Sequence, residues 1–300
     1  MTSVTVVIPH YGDPATALAL VRSLQTQGGG LLAGIVVSDD ASPVPFPETE
    51  GVHVVRRERN GGFGSAVNTG MERVETELAL VLNSDLEIGA TFVEDLVRAA
   101  YPWQPAVVSP HVVRPNGVQE WIGAHFPSPA HHATEWLSPL ARFRESDAWR
   151  EGVGIDSRCT EGVVVPVDWV KGAAMLIPVG PFRAVGGFDE AYFMFAEEVD
   201  LQRRLREVGV PSIFAGTVTV IHEGGGSSDP ERRRHWLVES RLKYAAKWGG
   251  ESALKASLAT ASVVNFGVNA LRQMAGRDVD SVATLRRELG YLKPGQERGQ

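Results

Sequence analysis

The chain has 300 residues, of which 43% are apolar and 22% charged, with a formal net charge of −7. That length suits one large α/β domain or a domain with an appendage, and it is ample for a buried core. The acidic balance argues against a nucleic-acid partner, which needs a net basic face.

Cys159 is the only cysteine, so no internal disulfide forms, and a reducing cytoplasm is the expected home. The Met-Thr-Ser start leads straight into a strand-like run without a basic or apolar leader, so no secretory signal is expected. The most apolar late segment, 253–271, is interrupted by Lys255, Asn265 and Asn269. This speaks against a membrane span and leaves room for a helix lying on another surface.

In chain order, residues 4–8 read as a short buried strand ending at Pro9. Asp13 and Pro14 then supply an N-cap and a proline at the first helical position. Ala17, Leu20, Val21 and Leu24 keep helical spacing until Gly28–Gly30 stop the helix. Short apolar runs at 34–38 and 52–55 predict two further strands. Phe63, Val67, Met71 and Val74 predict a helix over 63–75, and Leu78–Leu82 the next strand. Strands alternating with helices are the pattern of a mostly parallel sheet with crossover helices. Residues 110–165 lose periodicity and read as an irregular insertion. Regularity returns over 167–178, with a helix over 197–208 and a strand over 213–221; the last eighty residues read as helical, with a polar tail after Pro294.

Ligands in open parallel sheets sit at the carboxyl ends of the strands, and the polar clusters fall there. His10–Asp13 follow the first strand, Asp39 and Asp40 the second, and Asn83, Ser84 and Asp85 the fourth. A carboxylate at such a position binds a hard cation or simply closes a turn. Glu198 opens the 197–208 helix on its inward side, as a helix-dipole partner or a general base, while Arg204 offers Glu197 and Asp200 an ion pair. His222 closes a strand ahead of Gly224–Gly226, whose amides suit a phosphate. The Asn60–Gly64 run lacks the dinucleotide fingerprint, and no P-loop lysine is present, which excludes a dehydrogenase and a kinase.

Together these segments resemble glycosyltransferase family 2, enzymes of the GT-A fold, and its rhamnosyltransferase-like branch. The pieces are Val-Val-Ile-Pro-His-Tyr (6–11), Val-Val-Ser-Asp-Asp-Ala-Ser (36–42), Asn-Gly-Gly-Phe-Gly-Ser-Ala-Val-Asn-Thr-Gly (60–70) and Leu-Asn-Ser-Asp (82–85). They continue with Val-Asp-Trp-Val-Lys-Gly-Ala-Ala-Met-Leu-Ile (167–177), Gly-Gly-Phe-Asp-Glu (186–190), Glu-Glu-Val-Asp (197–200) and Val-Ile-His-Glu-Gly-Gly-Gly (220–226), in the family's order.

The resemblance implies an α/β GT-A catalytic domain over 1–225, with a nucleotide-binding half to about 105 and an acceptor half after it, followed by a helical extension over 226–300. It implies that Pro9 and Tyr11 line the nucleotide pocket, that Asp39 bonds the pyrimidine, and that Asn60, Gly62 and Asn68 shape the wall beside nucleoside and diphosphate. Asp85 stands at the family's Mg²⁺- or Mn²⁺-binding aspartate, with Asn83 in place of the first aspartate and His222 as a further metal or diphosphate ligand. Glu198 falls where the family has its catalytic aspartate, with Asp200 and Glu197 as fallbacks. Asn83, Trp169, Gly172, Asp189 and Glu197 are implied contacts to donor or acceptor.

The expected activity is therefore metal-dependent, inverting transfer of a sugar, rhamnose favoured. The donor is a dTDP- or UDP-linked sugar, and the acceptor a glycan or lipid-linked molecule in cell-surface polysaccharide synthesis. A non-catalytic nucleotide-sugar binding module is the alternative. Acceptor choice is expected in 110–165, where Trp121, Trp136 and Trp149 either stack on sugars or pack. A basic stretch, Arg232–His235 with Arg241, Lys243 and Lys247, suits either a peripheral contact at the inner face of the membrane or a solvated helix face.

Overall fold

The computed structural model describes residues 3–224 and 229–293. Gly225, Gly226 and Ser227 of the glycine run, the expected 225/226 boundary and the tail after Pro294 lie outside the described residues. In chain order the elements are β1 (Val4–His10), α1 (Ala15–Gln25), β2 (Leu32–Asp39), β3 (Val52–Arg56), α2 (Phe63–Met71), β4 (Leu78–Leu82), β5 (Leu86–Glu87) and α3 (Phe92–Ala100). Then follow β6 (Val107–Val113), β7 (Gln119–Glu120), β8 (Gly123–Ala124), α4 (Pro129–Trp136), α5 (Asp147–Gly152), β9 (Val164–Val167), β10 (Trp169–Val170), β11 (Ala174–Pro178) and α6 (Val179–Ala184). The chain ends with α7 (Glu197–Glu207), β12 (Ser212–His222), α8 (Pro230–Trp248), α9 (Glu251–Met274) and α10 (Ser281–Gly290).

Two compact units divide the described chain: residues 3–125 with 156–224, and residues 126–155 with 229–293. The first holds a mixed sheet of order β3-β2-β1-β4-β11-β6-β12-β5. Strands β3, β2, β1 and β4 run parallel, and β11 lies antiparallel between β4 and β6. The sheet is mixed: β3-β2-β1-β4 and β6-β12 pair in parallel, while β11 enters against its neighbours. β1 and β4 are apolar without alternation because both faces are covered; Val6, Val7, Ile8, Leu80, Val81 and Leu82 are inaccessible. Helix α1 buries Ala17, Leu20, Val21 and Leu24, the stripe its spacing predicts, and Asp13 Oδ1 accepts from the Ala15 amide at its start. Helix α2 ends at Met71, four residues short of the expected 75.

The second unit joins a mid-chain segment to the C-terminal helices. Within the irregular 110–165 stretch, residues 126–155 carry α4 and α5 and fold with the C-terminal helices rather than with the sheet. The reason is Trp136, buried with its indole N–H donating to Ser262 Oγ at 2.9 Å. Asn265 donates to the Trp136 carbonyl at 2.9 Å and accepts from the Ser138 amide at 2.9 Å. The polar residue that interrupts the apolar stretch of α9 is thus a tie to α4. Trp136 packs rather than facing a sugar. Among the described residues no helix is long and apolar enough to cross a membrane.

Candidate active site

Strand register builds the centre of the site. β4 ends at Leu82, the Asn83 amide donates to the Ala173 carbonyl at 2.9 Å, and Asp85 lies in the turn to β5. β5 pairs antiparallel with the end of β12, setting His222 opposite Leu86. His222 Nε2 therefore stands 3.2 Å from Asp85 Oδ1 and 3.4 Å from Asn83 Nδ2. β12 also lies parallel to β6, and β6 carries β7 on its edge, with Glu120 opposite Val112. Glu120 Oε2 thereby reaches within 3.0 Å of His222 Nδ1, and it is further held by Arg114 Nε at 3.1 Å.

One imidazole is thus clamped between two carboxylates. The Asp85 and Glu120 hydrogen bonds outweigh burial and push the His222 pKa up to about 9. For Asp85, burial is the largest influence and acts upward, but the hydrogen bond and charge of His222 overcome it and hold the carboxyl below its ordinary range. Glu120 is lowered by the His222 bond against burial. These shifts describe the same two contacts from opposite ends and are not additive. Because the folded pKa of His222 lies above 6.5, its stabilisation is complete below pH about 6.5 and is lost as pH rises through about 9. The carboxylates, shifted down, keep theirs above their unfolded values and lose it in acid. In EDTA, the stability gap between the chain and His222→Gln is expected to be roughly 3 kcal/mol near pH 6 and to close by pH about 10. Denaturant titrations across that range measure it; a gap independent of pH would show that His222 is not an imidazolium.

The second carboxylate group lies at the head of α7. Phe195 and Ala196, with φ of 70° and 66°, are consecutive non-glycine residues in the left-handed region, each costing about 1–2 kcal/mol. This strained turn delivers Glu197 and Glu198 into the first helical turn. Glu198 is half-buried beside Gly172, where an added Cβ would stand 2.8 Å from Glu198 Oε1. Burial pushes the Glu198 pKa up, partly offset by the backbone N–H groups of Glu198 and Gly172 and by Lys171. Glu197 is fully enclosed, with Oε2 lacking a hydrogen-bond partner, so burial and then the charge of Glu198 raise it well above the ordinary range. Asp200 is inaccessible and accepts from Arg204 Nε at 2.9 Å, while Arg204 Nη1 also bonds the Val185 carbonyl at 2.7 Å. That is an internal tie between α7 and the segment before it. The two carboxylate groups are connected through Gly172 and Ala173: one borders Glu198, and the next accepts from Asn83.

The residues expected around the nucleotide divide differently. Pro9 is half-buried at the end of β1 and Tyr11 is exposed just beyond it. Asp39 is inaccessible, and its carboxylate accepts from the Ser42 amide at 2.8 Å, the Phe46 amide at 3.1 Å and the Arg56 guanidinium. It organises the loop after β2. Asp40 takes the amides of Gly61 (3.0 Å) and Gly62 (2.8 Å), tying the glycine run to the end of β2. Asn60 Oδ1 accepts from the same Gly62 amide at 3.1 Å. Asn68 exchanges two 2.9 Å bonds with the backbone of Phe188, clamping α2 to the 186–190 segment. Trp169 donates from its indole to the His125 carbonyl at 2.9 Å, and Asp189 caps the Ala191 amide at 3.0 Å.

Gly62 joins the two halves of this arrangement. Its φ of 85° and ψ of 178° lie in a region that only glycine occupies readily, and a Cβ would stand 1.8 Å from the Phe193 carbonyl oxygen. The strained turn ahead of Glu198 is therefore seated directly against the glycine run. Gly62→Ala is expected to cost more than about 3 kcal/mol from strain and backbone displacement together. That is a fall of roughly 6 °C or more in melting temperature, and an unchanged melting temperature would contradict this packing.

The glycosyl transferase family 2 model matches residues 5–168, more than half of the chain. The chain belongs to glycosyltransferase family 2. Its relatives include N-acetylglucosaminyl-diphospho-decaprenol L-rhamnosyltransferase of Mycobacterium tuberculosis, 26% identical over 197 residues, which are 62% of this chain and 63% of that protein. Rhamnosyltransferase WbbL of Escherichia coli is 34% identical over 83 residues, 27% of this chain and 31% of that protein. The chain thus spans less than two thirds of the length of these curated relatives. Among solved structures, mannosyltransferase PcManGT from Pyrobaculum calidifontis, in complex with GDP-Man and Mn²⁺, matches with a TM-score of 0.58 at 14% identity, over 97% of this chain and 85% of that one. The family and the GT-A-like architecture are those the sequence motifs imply. Glu120 is the site residue that sequence reasoning misses. It lies in a two-residue strand without periodicity, and only the β6–β7 register brings it to His222.

Proposed function

We propose that the chain is an inverting glycosyltransferase that moves a sugar, rhamnose favoured, from a dTDP- or UDP-linked donor to a glycan or lipid-linked acceptor in cell-surface polysaccharide synthesis. It would act in the cytoplasm, at the inner face of the membrane. The observation that carries this is the convergence of Asp85 and His222 at the carboxyl ends of their strands, joined through Asn83, Ala173 and Gly172 to a carboxylate of raised pKa.

The residues fit a divalent cation. Asp85 offers a hard oxygen and His222 a nitrogen, a mixed set that suits Mn²⁺ or Mg²⁺ once Nε2 has lost its proton. Asp85 and His222 would hold the ion, and Glu120 would fix the imidazole from Nδ1. Bound there, the cation would neutralise charge developing on the departing diphosphate. Glu198 takes the proton from the acceptor hydroxyl as that oxygen attacks the anomeric carbon. The bond from that carbon to the diphosphate oxygen breaks, the electron pair leaves with the nucleoside diphosphate, and the proton stays on Glu198. Attack opposite the leaving group inverts the anomeric configuration. Burial favours this role, because a base of raised pKa holds the proton more strongly.

A thermal-shift screen with dTDP, UDP and GDP and their common sugars, with and without Mn²⁺, tests the reading. A ligand at about 100 times its dissociation constant stabilises by roughly 2.7 kcal/mol. A Mn²⁺-dependent shift with one pyrimidine diphosphate is expected; no shift with any nucleotide would overturn the donor site.

A further inference from the structure

The second unit carries a surface that the donor site does not use. On α9, exposed Ala253, Ala256, Thr260, Val263, Val264, Gly267, Leu271 and Met274 recur at helical spacing, apart from exposed Arg272 and Gln273 in its last turn. At 3.6 residues per turn they form one continuous face, opposite the buried Leu254, Leu258, Ala261, Asn265 and Asn269. No charged residue lies on that face, although the helix is 24 residues, about 36 Å, long. Val263, Leu271 and Met274 are 59%, 64% and 77% exposed. Neighbouring α8 shows the usual alternative, presenting Glu231, Arg232, Arg233 and His235 to water. An uncharged outer face of this length marks a contact surface.

We infer that this face of α9 lies on an anionic lipid bilayer, with the helix in the plane of the interface. Charge selects that occupant. The unit of residues 126–155 and 229–293 holds fifteen Lys and Arg against eleven Asp and Glu, in a chain whose net charge is −7. Exposed Arg272 and Arg277 stand at the C-terminal end of the stripe beside exposed Asp278 and Asp280, and α10 adds exposed Arg286 and Arg287. A second copy would bring like charge against like charge, whereas an anionic headgroup layer complements it. The stripe also lacks the large aromatic anchors that carry protein interfaces. The basic run on α8 is not the contact, because much of it is engaged inside the unit. Arg234 stacks 4.4 Å over the Trp136 ring, Arg241 bonds Glu135, and Lys243 pairs with Glu239 at 3.0 Å.

The inference concerns the helical unit alone and stands or falls separately from the nucleotide site. The full chain is floated with vesicles of phosphatidylcholine and phosphatidylglycerol, and with phosphatidylcholine alone, beside light scattering for oligomeric state. Preferential recovery with the anionic vesicles is expected. The paired substitution Leu271→Glu and Met274→Glu should weaken partitioning at least about tenfold with no change in melting temperature, since both side chains are exposed. Arg272→Gln with Arg277→Gln should weaken it by about fivefold or more on anionic vesicles only. Absence of binding, or binding that survives the Leu271 and Met274 substitutions, would overturn the inference. So would a dimer that those substitutions dissociate, which would assign the face to a second copy.

Discussion

Glu198→Gln is expected to lower kcat by about 10²- to 10⁴-fold while leaving the protein folded. The amide keeps the size of the carboxylate and can still accept from the Gly172 amide, but it cannot take up a proton. It also removes the burial cost of a carboxylate at that position, so the variant should melt no lower than the parent. Glu197→Gln is the matched control. Burial and its neighbour's charge raise the Glu197 pKa and favour the protonated form, which an amide mimics, so activity should change little. The reverse pattern would move the base to Glu197. The pH profile gives an independent reading. A base must be ionised to act, so activity should fall as pH drops through the raised pKa of Glu198, above the ordinary glutamate value of 4.5. Glu198→Asp should retain part of the activity, since it keeps the function but withdraws the oxygen by one methylene. Retention of full kcat by Glu198→Gln would remove the residue from the chemistry.

What could be read from the sequence follows a physical line. β1 and β4 are runs buried on both faces, and α1 and α7 carry clean stripes, so local pattern is enough to place them. Asp85 and His222 were legible because each directly follows or closes such a strand. Their 3.2 Å approach was not, since it depends on the two-residue β5 pairing with the far end of β12. The same holds for Glu120. Asp39 and Asn68 show the opposite difficulty. Their positions match the family's pattern, but a motif cannot show that one carboxylate satisfies a loop's amides and one carboxamide clamps Phe188. Within the irregular 110–165 stretch, what fixes residues 126–155 is Trp136 meeting Ser262, 126 residues away, a contact with no local signature.

Asp85→Ala is expected to abolish the Mn²⁺ dependence of nucleotide binding and to lower kcat by about 10³-fold or more, the scale of several kcal/mol of lost charge stabilisation at the leaving group. The effect should exceed that of an ordinary ligand loss, because Asn83 leaves Asp85 as the one carboxylate at the end of β4 and no second aspartate compensates. Removing Asp85 also takes away the first cause of the raised His222 pKa, so His222 should titrate lower in the variant, which NMR of the imidazole reads without any turnover. In the parent chain a cation must displace the Nε2 proton, so Mn²⁺ affinity should rise with pH up to about 9 and then level off. Glu120→Gln separates orientation from charge, since the amide oxygen can still accept from Nδ1 while the carboxylate's contribution to ligand basicity is gone. A loss of about 10- to 100-fold in Mn²⁺ affinity by calorimetry is expected, with a larger loss for Glu120→Ala. Paired with His222→Gln, the two changes should be strongly non-additive, because Glu120 has nothing to orient once the imidazole is gone. If Glu120→Gln and His222→Gln weakened Mn²⁺ binding additively, Glu120 would be acting on the cation directly, and the clamp would be a ligand set of three.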